Sequence, residues 1–210
     1  MISSSKKTCQ NKVMLLPRRL VLASTSRYRR ELLARLGLSF ECADPNVEET
    51  AAAAEAPAQT AQRLAAAKAA AVRARYDDAL IIGADQVAFC GELRLDKPRT
   101  HANAVRQLTA TSGKVATFDT AVALLDARGG QAQTRVVRTR VHFRPLSAAQ
   151  IEAYLRREQP YDCAGSAKAE GLGIALIARI EADDPTALIG LPLVALTEML
   201  AAAGAPVLPA

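Results

Sequence analysis

The fold of this chain is decided by residues Leu20–Leu38, which read LVLASTSRYRRELLARLGL. The apolar run Leu20–Ala23 predicts a short buried strand, and a turn of hydroxyl-bearing residues follows it. Ser26 is suited to cap a helix and Gly37 to end one, and leucines recur at helical spacing between them. The stretch therefore predicts a strand, a turn and a helix in direct succession, which is a building unit of α/β folds.

The first turn of this helix carries an unusual charge pattern. Arg27, Arg29 and Arg30 crowd the end where the helix macrodipole is already positive and where carboxylates are preferred. Free backbone N–H groups, hydroxyls and guanidinium groups in one place make a good anion site. Three arginines alone fit a solvated basic helix end equally well, but the strand-turn-helix setting favours an oligophosphate site.

Length and charge distribution indicate one globular domain with a basic end. The chain has 210 residues, 50% of them hydrophobic and 23% charged. Residues 1–35 contain nine Lys or Arg and one acid, whereas the remaining 175 residues contain eighteen bases and twenty acids. This local excess fits a tail plus one anion site better than a groove for nucleic acid. We expect residues 1–18 to be a disordered basic extension and residues 19–210 to form the domain.

Cysteine usage and the N-terminal composition point to a cytoplasmic protein. Four widely spaced cysteines and two histidines suggest neither a disulfide framework nor a zinc site. The apolar run Val13–Leu16 is too short for a signal-peptide core or a membrane span. We therefore expect free thiols, a cytoplasmic location and no membrane partner.

The rest of the chain alternates between patterns of strands and helices. Helices are predicted over 60–75, 100–111, 147–158 and 192–203. Strands are predicted over 39–43, 79–87, 114–126 and 174–180, with a return strand after the turn at residues 128–130. In that return strand, Arg138–Arg144 places a basic stripe on one face, and a solvated face is favoured over a nucleic-acid surface because stacking aromatic residues are missing from it.

Asp85 is the main candidate for catalysis. The continuous apolar run Ala79–Val87 predicts a strand covered on both faces, with Asp85 at or near its end, where the active sites of α/β proteins gather. A turn or capping aspartate is the alternative. The acidic loop Asp44–Thr50 either faces a metal or is solvated, and Lys68 is, on its position alone, a surface lysine of a helix.

Four separated motifs resemble the Maf family of nucleoside triphosphate pyrophosphatases. They are the turn Ser24–Arg30, the triplet Asp85–Val87, the pair Lys97–Pro98, and the loop Gly165–Gly171. Within the longer stretch Tyr161–Gly173, three glycines, a lysine and an acid packed together already suggest a loop where a ligand comes close. The resemblance runs from about Leu20 to about Gly204. It implies a single α/β domain with a long mixed β-sheet flanked by helices and two lobes around a nucleotide cleft, a Maf/ITPase-like fold. It also implies hydrolysis between the α and β phosphates with a divalent metal cation, Mg²⁺, Mn²⁺ or Co²⁺.

The resemblance further implies roles for individual residues. Asp85 would be the general base, and Glu49 and Asp85 would bind the metal. Tyr28, Gln86 and Glu170 would set base preference; they are similar to the marks of the branch that acts on 7-methyl-GTP, whose cationic base suits an aromatic ring with a carboxylate. The triphosphate would be held by Ser24, Arg29, Arg30, Lys68 and Lys97.

Two positions depart from the family pattern, and several alternatives stay open. Ala84 stands where the family usually has serine, and Tyr28 stands where this branch commonly has tryptophan. The expected substrate is 7-methyl-GTP, with dTTP, UTP or another modified nucleoside triphosphate as the alternative within the family. A non-enzymatic regulator that binds nucleotides or nucleic acid is the alternative outside it. The expected partner is thus a small-molecule nucleotide and not nucleic acid, and the resemblance leans toward a homodimer.

Overall fold

One mixed β-sheet organises the chain in the computed structural model, which describes residues 16–50, 52, 55–130 and 132–208. Its strands are β1 (Leu20–Ala23), β2 (Glu41–Ala43), β3 (Leu80–Cys90), β4 (Leu93–Arg94), β5 (Val115–Asp126), β6 (Ala132–Phe143) and β7 (Ile177–Glu181). The sheet order is β2-β1-β3-β5-β6-β7, and β4 pairs with β3. β1 pairs in parallel with β2 and β3, whereas the pairs from β3 through β7 are antiparallel. The expected α/β domain with a long mixed sheet is confirmed.

Five helices flank this sheet within the described residues. They are α1 (Arg27–Ala34), α2 (Pro57–Val72), α3 (His101–Thr111), α4 (Ala148–Glu158) and α5 (Leu193–Ala202). Polar side chains begin several of them: the Ser26 hydroxyl accepts from Arg29 N, and Ser147 forms a capping box with Gln150. α2 begins at Pro57, before the predicted start at Thr60, because proline suits the first turn, where its missing N–H costs nothing.

Two of the predicted strands are shorter in the structure. The strand predicted over 39–43 is formed only by Glu41–Ala43, the residues that pair with β1. The strand predicted over 174–180 begins at Ile177, because Leu172–Leu176 forms a 3₁₀ turn instead. Both corrections concern ends of elements, where pairing with a neighbour decides how far a strand extends.

Helices cover both faces of the sheet and divide its core. Leu20 and Leu22 of β1 pack with α1 and α5 in one cluster, whereas Val21 and Ala23 pack with α2 on the opposite face. The alternation follows from the period of two along a strand. A third cluster, built around Phe118, joins the far ends of β5 and β6 to α3 and α4. Three apolar clusters therefore share one sheet, two of them on its opposite faces.

A close approach of α2 to β3 positions the site described below. A Cβ atom added to Gly83 of β3 would lie 2.0 Å from the Ala65 carbonyl oxygen and 2.9 Å from Ala69 N. Only glycine therefore lets the backbone of the helix come this near the strand. Lys68, between those two alanines, is carried toward the same strand.

The described beginning of the chain contacts the folded domain. Residues 1–15, most of the predicted extension, lie outside the described residues, so that prediction stays a prediction. Arg18 donates two hydrogen bonds to the Asp126 carboxylate, at 2.7 and 2.8 Å, and Leu16 packs against the first core cluster. In the part of the chain that the structure describes, no helix is both long and apolar enough to cross a bilayer.

Candidate active site

A cleft of about 600 Å³ collects most of the residues that were singled out from the sequence. It lies between the turn that precedes α1, the loop Asp44–Glu49, strand β3 and the loop that follows α4. Its lining includes Ser24, Tyr28, Arg29, Glu49, Lys68, Asp85, Gln86, Lys97 and Glu170. Arg30 is the exception among the expected site residues: it is exposed and does not line the cleft.

Asp85 lies in the middle of β3 and not near its end, so the predicted position of Asp85 in its strand is wrong. β3 continues to Cys90 because β5 pairs with it throughout, with Asp85 opposite Ala121. On the other side β1 pairs only as far as Ile82. The cleft opens where the shorter β1 stops, and the edge of β3 that this exposes carries Asp85.

Lys68 joins the two carboxylates that were expected to bind a metal. Its Nζ lies 2.6 Å from Asp85 Oδ1 and also contacts Glu49 Oε1. Lys68 is only 4% exposed and Asp85 6%, so the surface reading of this lysine is wrong. Glu49 is more accessible, with 63% of its side chain exposed. A buried ammonium thus compensates the charge of a buried carboxylate, as buried charges require.

The charges of the cleft act on one another. Burial raises the pKa of Glu49, but the hydrogen bond from Lys68 and the positive charges of Lys68, Arg29 and Lys97 outweigh it, so the pKa of Glu49 is lowered. Burial lowers the pKa of Arg29, while the charges of Asp85 and Glu49 oppose this. The charges of Arg29 and Lys97 therefore both act on the Glu49 carboxylate.

Arg29 is anchored but keeps free donors. Its Nε donates to the Gly190 carbonyl at 2.9 Å, and its guanidinium contacts Ser24 Oγ at 3.4 Å. A guanidinium has five N–H donors, so most remain available for an anion. Within the described chain, the first N–H groups of α1, those of Arg27 and Tyr28, also lack partners. The turn before α1 therefore presents converging donors, as an oligophosphate site needs.

The Gln86 side chain is held in one orientation. Its Nε2 donates to Thr120 Oγ1 at 2.8 Å and lies 3.1 Å from the carbonyl oxygens of Ala187 and Leu188. All these partners are acceptors, so the nitrogen must face them and the amide oxygen is left to accept from another group. Thr120 had no signal in the sequence, because its contact with Gln86 depends on the pairing of β3 with β5.

Tyr28 belongs to a group of polar residues that the sequence did not bring together. Its hydroxyl donates to Asp162 Oδ1 at 3.1 Å and accepts from Cys163 Sγ at 3.4 Å. Arg27 also bonds this hydroxyl, at 2.6 Å. Burial raises the pKa of Tyr28. Asp162 follows Tyr28 by 134 residues, so no local pattern could have linked the two.

The glycine-containing loop lines the cleft, but its glycines serve packing within the chain. A Cβ on Gly173 would lie 2.5 Å from the Lys168 carbonyl oxygen, and one on Gly165, where φ is 71°, would contact the Phe118 ring at 3.3 Å. The residues of this loop that reach the cleft are alanines and Glu170. The predicted loop therefore lies at the cleft, and the approach of a ligand to it stays a prediction.

Two other sequence features lie away from the cleft. Ala84 is fully buried in the first core cluster, on the face of β3 opposite to Asp85, so a serine hydroxyl there would not face the cleft. The basic stripe on β6 is largely paired: Arg138 binds the buried Asp119 through two bonds of 2.7 and 3.0 Å. His142 lies 3.1 Å from Glu181.

The donor set of the cleft fits a divalent cation that binds together with a polyphosphate. Among the described residues no group of three or more His, Cys, Asp or Glu could hold a metal by itself. The lining carries four basic and five acidic side chains, so it does not neutralise a triphosphate alone. Glu49 and Asp85 offer hard oxygen ligands, and Mg²⁺ is commonly held by one or two carboxylates plus substrate phosphates.

Comparison with known proteins identifies the family. The family profile described as Maf-like protein matches residues 19–203. A protein of Thiobacillus denitrificans named 7-methyl-GTP pyrophosphatase is 60% identical over 189 residues, which cover 90% of this chain and 94% of that protein. Proteins with the same name from Cupriavidus metallidurans and Burkholderia pseudomallei are 55% and 56% identical, covering 89% and 90% of this chain and 94% and 90% of their own lengths. The chain therefore belongs to the Maf family.

Proposed function

We propose that this protein hydrolyses 7-methyl-GTP to 7-methyl-GMP and pyrophosphate. The observation that carries the proposal is the buried pair of Lys68 and Asp85 with the more exposed Glu49, which face the same cleft as the donors of the turn before α1. A carboxylate beside an oligophosphate site is suited to phosphoanhydride hydrolysis. The relatives named 7-methyl-GTP pyrophosphatase support the choice of substrate.

Asp85 is proposed as the general base. One of its oxygens, Oδ1, is held by Lys68, and within the described chain no hydrogen bond reaches the other, Oδ2. That oxygen accepts a proton from water as the water oxygen bonds to the α phosphorus. The bond from the α phosphorus to the bridging oxygen breaks, and pyrophosphate leaves with that oxygen.

Fixed positive groups would position the triphosphate for this step. Arg29, braced by Gly190 and Ser24, and the N–H groups at the start of α1 bind phosphate oxygens, and Lys97 adds a further cation at the cleft. Such preorganised donors stabilise the charge that develops on the leaving group. A divalent cation held by Glu49 and Asp85 would supply charge neutralisation at the phosphates.

Three residues would recognise the base. Tyr28 offers an aromatic ring and Glu170 a carboxylate, a pairing that suits the positive charge of a 7-methylated guanine. The amide oxygen of Gln86 is left free to accept from an N–H group of the base, because its nitrogen is bonded elsewhere. A ring N–H donor, as in guanine, matches this acceptor.

The proposal is tested by pyrophosphate release from 7-methyl-GTP, GTP, dTTP, UTP and CTP with Mg²⁺, Mn²⁺ or Co²⁺. We expect a clear preference for 7-methyl-GTP and loss of turnover in Asp85→Asn, with nucleotide affinity largely kept. Preference for dTTP or UTP would keep the chemistry but overturn the roles of Tyr28, Gln86 and Glu170. Inactivity toward every nucleotide with every metal would favour a binding protein, whose affinity for nucleic acid would fall steeply with salt.

A further inference from the structure

Arg27, Tyr28 and Asp162 form a polar group at the edge of the cleft, and the proposed mechanism gives no role to two of them. The Arg27 guanidinium carbon lies 4.7 Å from the centre of the Tyr28 ring, within the range of a cation–π contact. The same guanidinium lies 3.2 Å from Asp162 Oδ2. One planar cation thus touches an aromatic ring and a carboxylate at once.

The position of Arg27 in its helix makes this contact informative. Arg27 is the first residue of α1, where the macrodipole disfavours a positive charge, and the first turn of α1 contains no acid. Asp162, from the loop after α4, supplies the missing negative charge. The two side chains remain 63% and 49% exposed, so the pair lies where a ligand can reach it. All three residues line the cleft that holds Asp85.

The guanidinium of Arg27 and a 7-methylated guanine share the same recognition chemistry. Both are planar, delocalised cations with N–H donors, and both are attracted by an aromatic face and by a carboxylate. A neutral guanine has the plane and the donors but not the charge. The surroundings of Arg27 are therefore those that a cationic base prefers.

We propose that Arg27 competes with the cationic base of the substrate for the Tyr28 ring and the Asp162 carboxylate. Asp162 then favours the methylated base, and Arg27 opposes it, so the two residues set base preference in opposite directions. This inference rests on the proposed 7-methyl-GTP activity. It adds a second carboxylate, Asp162, to the Glu170 assigned above. It also gives Arg27 a role in selecting the base, whereas binding of phosphate by Arg27 would not distinguish one base from another.

The test compares KM and kcat for 7-methyl-GTP and for GTP in single variants. Arg27→Ala should raise the ratio of KM for GTP to KM for 7-methyl-GTP about two- to fivefold, the range of an exposed cation–π contact. Asp162→Asn should lower the same ratio by a similar factor. A lost charge also weakens attraction of the triphosphate, which is the same in both substrates, so this part of the effect cancels in the ratio. The matched control is Arg35→Ala, an exposed arginine at the far end of α1 and outside the cleft, which should leave the ratio unchanged.

A binding measurement without phosphates separates this inference from the proposed function. Affinities for 7-methylguanosine and guanosine are measured by calorimetric titration. Relative to guanosine, 7-methylguanosine should bind more tightly to Arg27→Ala, and to a second variant, Arg27→Gln, than to the wild type. An unchanged or lowered ratio in Arg27→Ala overturns the competition, and an unchanged ratio in Asp162→Asn overturns the role of the carboxylate. A wild-type enzyme that releases no pyrophosphate refutes the proposed function instead, and the nucleoside titrations still decide the competition.

Discussion

The buried ion pair of Lys68 and Asp85 leads to a quantitative prediction about stability. Both residues are almost fully buried, at 4% and 6% exposure, and their charged atoms lie 2.6 Å apart. Lys68→Met keeps the length of the side chain but leaves the Asp85 carboxylate buried without a counter-charge. Removing one member of a buried pair costs about 3–5 kcal/mol. For a domain of this size, that lowers the melting temperature by about 6–20 °C.

Substitution of the other member of the pair, Asp85, should destabilise the protein much less. In Asp85→Asn, Lys68 keeps Glu49 as a partner and the amide oxygen still accepts a hydrogen bond, so the loss should stay below about 1.5 kcal/mol. Thermal and urea unfolding at pH 7, followed by circular dichroism, would compare these variants with the wild type. The double variant should be more stable than Lys68→Met alone, because it buries no uncompensated charge. The reasoning would be refuted if Lys68→Met had the melting temperature of the wild type, or if it lost no more free energy of unfolding than Asp85→Asn.

Three further predictions concern the cleft and its support. Arg29→Ala should raise KM for the nucleotide about tenfold or more, because it removes a charged hydrogen bond. Arg30 is exposed and outside the cleft, so Arg30→Ala should raise KM less than about fivefold. Initial rates of pyrophosphate release measure both values. Gly83→Ala should lower both the melting temperature and kcat, because the added methyl would lie 2.0 Å from a carbonyl oxygen of α2. Gly129 lies in open space, so the control Gly129→Ala should change neither value. Burial raises the pKa of the Cys163 thiol to about 11, so at pH 8 iodoacetamide should modify it far more slowly than it modifies glutathione, and unfolding in urea should remove the difference.

Local elements of this fold were predictable because their signals are local. The Ser26 cap, the Ser147–Gln150 capping box and the apolar run of β1 act within a few residues of chain, and the structure contains each of them. The ends of strands were less predictable, as Asp85 shows. Whether β3 stops after Val87 or continues to Cys90 depends on β5, which begins 25 residues later.

Part of the candidate site was also readable from the chain. The turn Ser24–Arg29 combines adjacent residues, and strand, turn and helix propensity are enough to bring their donors together. The apolar run Ala79–Val87 also marked Asp85, and the roles of the remaining residues came from the resemblance to a family. That resemblance named Lys68 without indicating that it is buried against Asp85, and nothing in the chain marked Arg27 and Asp162 as partners.

The sequence by itself determined the succession of strands and helices, the cluster of donors in the turn before α1 and the membership of the Maf family, because each rests on residue types at short or fixed spacings. Only the tertiary structure decided which charges meet. Lys68 reaches Asp85 because Gly83 lets α2 approach β3, and Asp162 reaches Tyr28 because the loop after α4 closes over the start of α1. The physical reason is that a contact between distant residues depends on how whole elements pack, which no short pattern of residues encodes.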